Sequence, residues 1–200
     1  MERLQARFLQ ANTQVLGVSV DSVYCHANWG RDLGGISFPL LADFHPKGEV
    51  AGRYGLYLPD AGITDRATVI IDAAGVVRHA SSVTPSGERD IEALAALCEG
   101  VNREHGQALQ PVQKIPGVSN EAVLYVKSSC GFSRAALLAR DNLHLQQQIT
   151  VKNVTEDPSA MAQLKQLIGK EQAPCLVLDG KPILESAIII QQLVSRAAPL

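Results

Sequence analysis

The chain has 200 residues, 46% of them hydrophobic and 19% charged, with a formal net charge of −2 and the two signs interspersed. That length holds enough apolar material for one large or two small cored domains. The charge balance argues against nucleic acid or an anionic membrane as the main partner, and the apolar runs are far too short to span a bilayer.

Met1 to Phe8 reads as an amphipathic helix without the charged-then-apolar layout of a signal peptide. Val15 to Val20 and Phe38 to Ala42 read as short buried strands, and Ala67 to Asp72 with Val76 to Ala80 as a pair turning through Asp72-Ala73-Ala74-Gly75. Helical patterns lie between them at Val23 to Asp32, about Lys47 to Tyr54, and Gly87 to Glu104. Gln107 to Asn120, with Pro111, Pro116 and Gly117 and little apolar periodicity, reads as a linker. It divides the chain into residues 1–106 and 121–200. In the second part, strands at Ala122 to Val126 and Ile149 to Asn153 each precede a helix, at about Gly131 to Leu145 and Ser159 to Ile168. Cys175 to Leu178, a turn at Asp179-Gly180, a strand at Ile183-Leu184 and a helix from Ser186 to Arg196 complete the pattern. The order is α/β throughout.

Cys25, Cys98, Cys130 and Cys175 are scattered, with no Cys-x-x-Cys pair and no Cys/His cluster at zinc spacing. No metal site is therefore expected, and a reducing, cytoplasmic setting is the default. Cys130 stands apart, because it joins a β-branched strand to a helix. Unpaired N–H groups and the positive helix end favour thiolate there. Lys127 adds positive charge, and Ser128, Ser129 and Ser133 make the surroundings polar. A small buried residue at a strand-to-helix junction is the plainer alternative.

Glu121 to Leu200 resembles a glutaredoxin, with features of the glutathione-transferase N-terminal domain. Lys127-Ser128-Ser129-Cys130 looks like the active-site lead-in, and Cys130-Gly131-Phe132-Ser133 like the monothiol form of the catalytic tetrapeptide. Gln172-Ala173-Pro174 looks like the cis-proline loop, and the segment Asp179 to Ser186 is similar to one whose Glu185-Ser186 pair holds the γ-glutamyl end of glutathione. The resemblance implies a complete thioredoxin-like fold and thiol–disulfide exchange by Cys130. Glutathione is then co-substrate with no tightly bound cofactor, and glutathione and glutathionylated thiols are the partners. Lys127, Phe132, Ala173, Pro174, Glu185 and Ser186 are the implied glutathione-binding residues. A cis bond presents the Ala173 backbone to an extended peptide, Ser186 opens a helix suited to a carboxylate, and Lys127 offers a point charge. Ser133 in place of a second cysteine removes the intramolecular dithiol step. Cys-Gly-Phe-Ser is also similar to glutaredoxins that share an iron–sulfur cluster between two subunits, although their longer lysine-containing lead-in is absent.

Leu4 to Glu104 resembles a peroxiredoxin of the alkyl hydroperoxide reductase and thiol-specific antioxidant class. The residues that carry this are Val15 to Ser22, His26 to Trp29, Phe38 to Asp43, Tyr54-Gly55 and Gly62 to Asp72. By that resemblance Arg66 is the active-site arginine beside the peroxide-reactive cysteine, and this part offers a surface for homo-oligomers. The family's peroxidatic cysteine, with its proline and threonine, belongs just before the helix entered at Glu2 and is missing. The strand leading to it, which lies between the equivalents of Val15–Val20 and Ala67–Asp72, is missing too. The first domain is thus expected to be an incomplete thioredoxin-like fold with an open sheet and an exposed apolar seam. Cys25 sits where some relatives carry a resolving cysteine, or simply packs. Cys98 reads as core, His26 and His79 as surface or capping residues, and Trp29 as packed. The implied function is a glutathione-linked oxidoreductase of peroxiredoxin–glutaredoxin type. The alternatives are an iron–sulfur carrier or an inactive remnant serving as an interaction module.

Overall fold

Short β-branched runs alternating with amphipathic stretches give a mixed α/β chain, and the computed structural model describes residues 1–105 and 115–198. It divides into two units, Met1–His26 with Phe38–Gln113 and Ala27–Ser37 with Lys114–Leu200. Much of the expected linker at 107–120 lies outside the described residues; residues 115–119 carry no regular element.

In the first unit a 3-10 turn at Glu2–Leu4 leads into α1 (Gln5–Gln10). Strand β1 (Gly17–Ser19) pairs in parallel with β2 (Leu40–Ala42), and α2 (Val23–Asp32) starts in the connection between them. Helix α3 (Glu49–Arg53) is shorter than its sequence pattern, because the Asp43 carboxylate accepts the Val50 and Ala51 N–H groups at 3.0 and 2.9 Å and fixes the first turn there. The hairpin of β3 (Tyr57–Leu58) and β4 (Ile63–Thr64) was not foreseen. Two-residue strands carry no alternation, and the signal lay instead in the Pro59 to Gly62 turn, where Gly62 has φ 64° and donates its N–H to Leu58. Strand β5 (Ala67–Ile71) pairs antiparallel with β6 (Val77–Ser82). Helix α4 (Ile91–His105) starts four residues after Gly87, since the Asp90 side chain accepts the Ala93 N–H at 2.9 Å as a cap. Phe8, Ala11, Val15, Ile70, Ala95 and Cys98 form its core.

No strand among the described residues joins β1 to β5, so β1–β2 and β5–β6 remain separate two-stranded sheets. Val18, Leu41, Ile71 and Val77 are exposed on them, which is the apolar seam expected of a sheet left open.

The second unit is one four-stranded sheet in the order β10-β9-β7-β8. Strand β7 (Ala122–Val126) is parallel to β8 (Ile149–Asn153) and antiparallel to β9 (Cys175–Leu178), which pairs antiparallel with β10 (Lys181–Leu184). Helices α5 (Gly131–Asn142), α6 (Pro158–Ile168) and α7 (Ser186–Ala197) complete the thioredoxin-like order. The side-chain period of two along β7 sends Ala122, Leu124 and Val126 into a core with Ala136 of α5 and Ile189 and Leu193 of α7. Tyr125 faces the opposite layer, with Ala160 and Leu164 of α6 and Cys175. Asp157 caps α6, accepting the Ser159 N–H at 2.8 Å ahead of Pro158 at the first helical position. The β9–β10 turn is the two-residue loop Asp179-Gly180, both at positive φ (51° and 74°), as a type I′ hairpin requires.

These directions fix where function sits. Strands β7, β8 and β10 run the same way, so the chain leaves all three at one end of the sheet, where β9 also begins. The starts of α5 and α7 and the loop before Cys175 therefore share that end.

Candidate functional site

Cys130 is the N-cap of α5 with extended backbone (φ −107°, ψ 115°), half-buried, directly after Ser129 at φ 55°. Its thiol is held below the ordinary range, first by the Ser133 hydroxyl, then by the Ser133 N–H, and to smaller degrees by the Phe132 N–H and the Lys127 charge, against a modest opposing effect of burial. Ser133 is not the polar surface neighbour that the sequence suggested: it is only 1% exposed. Its Oγ accepts the Lys127 backbone N–H at 3.1 Å, which leaves its own proton to donate to the sulfur. Ser133→Ala is accordingly expected to raise the Cys130 pKa. The inflection in a thiolate-absorbance titration then moves to higher pH, and disulfide exchange near neutral pH slows by roughly three- to tenfold.

The lead-in is tied down on both sides. The Ser128 N–H donates to Thr155 Oγ1 at 3.1 Å, and Ser128 Oγ donates to Glu156 at 2.8 Å, so the β8–α6 loop braces it. Lys127 Nζ donates to the Glu171 carbonyl at 2.8 Å, linking the lead-in to the loop before β9. In that loop the Ala173–Pro174 peptide is cis, as expected from the sequence. Ala173 is half-buried and Pro174 buried. Glu185, rather than Ser186, is the N-cap of α7, with φ 66°, ψ 121° and no side-chain cap bond, and Ser186 is the first helical residue. Gln172 Nε2 donates to Glu185 Oε1 at 2.8 Å. Phe132, in the first turn of α5, is 69% exposed. Cys130, Lys127, Phe132, Ala173, Pro174, Glu185 and Ser186 are thus gathered at one end of one sheet. Sequence reasoning quoted Gln172 only as part of the proline loop; a glutamine two residues before a proline carries no signal of its own without the fold.

Cys175 is fully buried on β9, and burial pushes its thiol up. Trp29, expected to pack, is about half exposed.

Arg66 belongs to the first unit, at the entrance to β5, exposed, with Nε donating to the Pro85 carbonyl at 3.2 Å. Beside it stands Arg89, which the sequence did not single out. Its Nη2 donates to the Ala67 carbonyl at 2.9 Å, and burial followed by the neighbouring Arg66 charge lowers its pKa. Cys98 is buried in the α1–α4 core, and burial raises its thiol. Cys25 is exposed on α2, its Sγ 3.8 Å from Asp21 Oδ1. His26 is buried, with Nε2 2.7 Å from Ser19 Oγ, rather than on the surface. Among the described residues no three His, Cys, Asp or Glu side chains are placed to hold a metal ion, and no helix is long and apolar enough to cross a membrane.

Comparison with known proteins assigns the two parts separately. Residues 1–80 match the AhpC/TSA family and residues 122–183 match glutaredoxin. Alkyl hydroperoxide reductase E of Mycobacterium bovis is 37% identical over 94 residues, covering 45% of this chain and 61% of that protein. The selenocysteine-containing peroxiredoxin PrxU of Peptoclostridium acidaminophilum is 33% identical over 117 residues, covering 55% of this chain and 52% of that protein. The chain thus spans between about half and three fifths of these relatives' length. Among solved structures, AhpC of Enterococcus faecalis matches at 29% identity with a TM-score of 0.48, covering 55% of this chain and 68% of that one. One polypeptide therefore joins a region of the AhpC/TSA peroxiredoxin family to a glutaredoxin-family domain.

Proposed function

We propose that this chain is a glutathione-linked thiol–disulfide oxidoreductase of the reducing cytoplasm, in which a glutaredoxin domain at 121–200 acts beside a peroxiredoxin-like domain at 1–106 across a linker at 107–120. The observation that carries the reading is the set of donors aimed at Cys130, at the sheet end that also holds the cis Ala173–Pro174 loop and the start of α7.

The chemistry balances without a metal or redox cofactor. The Cys130 thiolate attacks the glutathionyl sulfur of a mixed disulfide, a Cys130–glutathione disulfide forms, and the substrate leaves as a thiolate that takes up a proton. A second glutathione, as thiolate, attacks that disulfide, releases oxidised glutathione and restores Cys130. Ser133 supplies no second thiol, so each turnover takes one glutathionyl group from the mixed-disulfide substrate and one glutathione from solution. In this reading Lys127 holds the glycyl carboxylate, the Ala173 backbone pairs with the cysteinyl portion, Glu185 and Ser186 take the γ-glutamyl end, and Phe132 covers the disulfide.

The first domain supplies the peroxide link. Arg66 corresponds to the family's active-site arginine, while Cys25 and Cys98 belong to α2 and to the α4 core, so this chain by itself is not expected to turn over peroxide. Tethering a reductant to a peroxidase-type partner raises its effective concentration, and the exposed strands of the first unit suit association with further copies.

The test is mass spectrometry of protein incubated with a glutathione mixed disulfide. We expect one glutathionyl group on Cys130, released by added glutathione, with no consumption of hydrogen peroxide in a parallel assay. A folded sample with no adduct on Cys130 would overturn the reading. If that sample were also brown with visible absorption, it would be an iron–sulfur carrier instead.

A further inference from the structure

We propose that the open edge of β5 takes up an extended segment of another polypeptide as an added antiparallel strand, apolar at alternate positions and acidic at its C-terminal end. The site lies in the first unit and is independent of the chemistry of Cys130.

Backbone hydrogen bonding shows which groups that edge presents. The Val83 N–H donates to the Arg66 carbonyl at 3.2 Å, so Arg66, Thr68 and Ile70 bond toward β6. In an antiparallel ladder the intervening residues point their N–H and C=O groups the other way, which places those of Ala67 and Val69 on the far edge. Among the described residues no strand lies there. Val15, just before β1, shares a core with Ile70 of β5, yet β1 pairs with β2 and leaves the β5 edge open. Two strands alone make a marginal sheet, and an unpaired edge is a template for a third.

Side-chain chemistry narrows the guest. Val69 and Ala80 face each other across the ladder, and with Ala67, Val77, Tyr54 and Leu56 they are among the residues lining a groove of about 470 Å³. Tyr54 and Val77 are each about half exposed. An added strand turns every second side chain onto that face, so those side chains are apolar. At the Ala67 end the surroundings become positive. Arg89 Nη2 donates to the Ala67 carbonyl at 2.9 Å and Arg66 Nε to the Pro85 carbonyl at 3.2 Å, so both guanidinium groups bond backbone rather than a carboxylate. The nearby Asp65 carboxylate accepts the Ser82 hydroxyl and the Arg66 N–H. Arg89 Nε is buried without a hydrogen-bond partner, and burial followed by the Arg66 charge lowers the Arg89 pKa. Two like charges with a donor unspent suit a carboxylate. An antiparallel guest brings its C-terminal end to the start of β5, which fixes where its acidic residue sits.

The probe is a fluorescein-labelled seven-residue peptide amide, alternating valine and serine and ending in aspartate, titrated into the whole chain and followed by anisotropy. It is expected to bind, with Kd raised about three- to tenfold when asparagine replaces the aspartate. A peptide of the same composition with its valines contiguous is expected not to bind. Val69→Pro removes the outward N–H and none of the bonds to β6, so it should weaken uptake about tenfold or more with melting little changed. If that variant does not fold, the wild-type chain still decides. Methylating one alternate set of peptide nitrogens should abolish uptake, and exchange of the Val69 amide hydrogen should slow about tenfold or more with peptide bound, while Thr68 and Ile70 stay unchanged. No binding, or binding indifferent to methylation of either set, would overturn the proposal. So would a chain that dimerises in sedimentation and protects Val69 by itself, because a second copy would then occupy the edge.

Discussion

Cys130→Ser is expected to lower single-turnover reduction of a glutathione mixed disulfide by at least about a thousandfold, to the rate seen without protein. An alcohol at this position is not ionised near neutral pH, and oxygen cannot form the disulfide that carries the glutathionyl group between substrate and reductant. The donors that hold the thiol below its ordinary range have nothing to act on once sulfur is gone. The fold has no reason to suffer, because Cys130 is a half-buried N-cap and serine is among the preferred residues at such positions. A thermal melt alongside stopped-flow kinetics separates the two effects, with melting unchanged or slightly raised. Residual exchange in a folded Cys130→Ser protein would assign the reaction to another thiol. Cys25 is the exposed one, since Cys98 and Cys175 are both buried.

The second large effect is on stability. Leu124 and its cross-strand partner Leu176 are both fully buried at the centre of the second unit's sheet, within the core that also holds Ala136, Ile189 and Leu193. Truncating Leu124 to alanine removes buried methyl groups and opens a cavity that three packed elements cannot readily collapse into, at a cost of about 2–5 kcal/mol. Urea unfolding of that variant should show a midpoint shifted to lower denaturant at unchanged slope. Val18→Ala, on an exposed position of β1, provides the contrast, with an expected change within about 0.5 kcal/mol. A Leu124→Ala protein as stable as wild type would mean that β7 is not the structural centre of its unit.

The second half of the chain was readable nearly residue for residue. Ala122 to Val126 and Cys175 to Leu178 are continuous apolar runs, Ile149 to Asn153 opens on three apolar or β-branched residues, and the observed strands have those same limits. Asp179-Gly180 named its own turn type. The first half was less readable because side chains distant in sequence set its boundaries. Asp43 starts α3 from seven or eight residues away, and Asp90 starts α4 later than the apolar pattern suggests. At the site, the strand-to-helix position singled out Cys130, while the balance among its neighbours was not legible. Lys127 was read as adding nearby positive charge, and a neutral hydroxyl in hydrogen-bond contact outweighs it at the thiol, while Lys127 Nζ donates to the Glu171 carbonyl. Gln172 and Arg89 were invisible for a related reason. Each meets groups distant in sequence, Glu185 for Gln172 and the Ala67 carbonyl and Arg66 for Arg89, that only the folded backbone brings alongside.

The Asp179-Gly180 hairpin has a practical use. Strand β9 starts at the reactive end and runs away from it, so this turn lies a full strand length from Cys130. Both of its residues are exposed, and neither holds any group of the reactive end. It is the natural place to attach a fluorophore or splice in an affinity sequence when the domain is to be followed in action, whereas a label on the lead-in or the proline loop would report on its own interference.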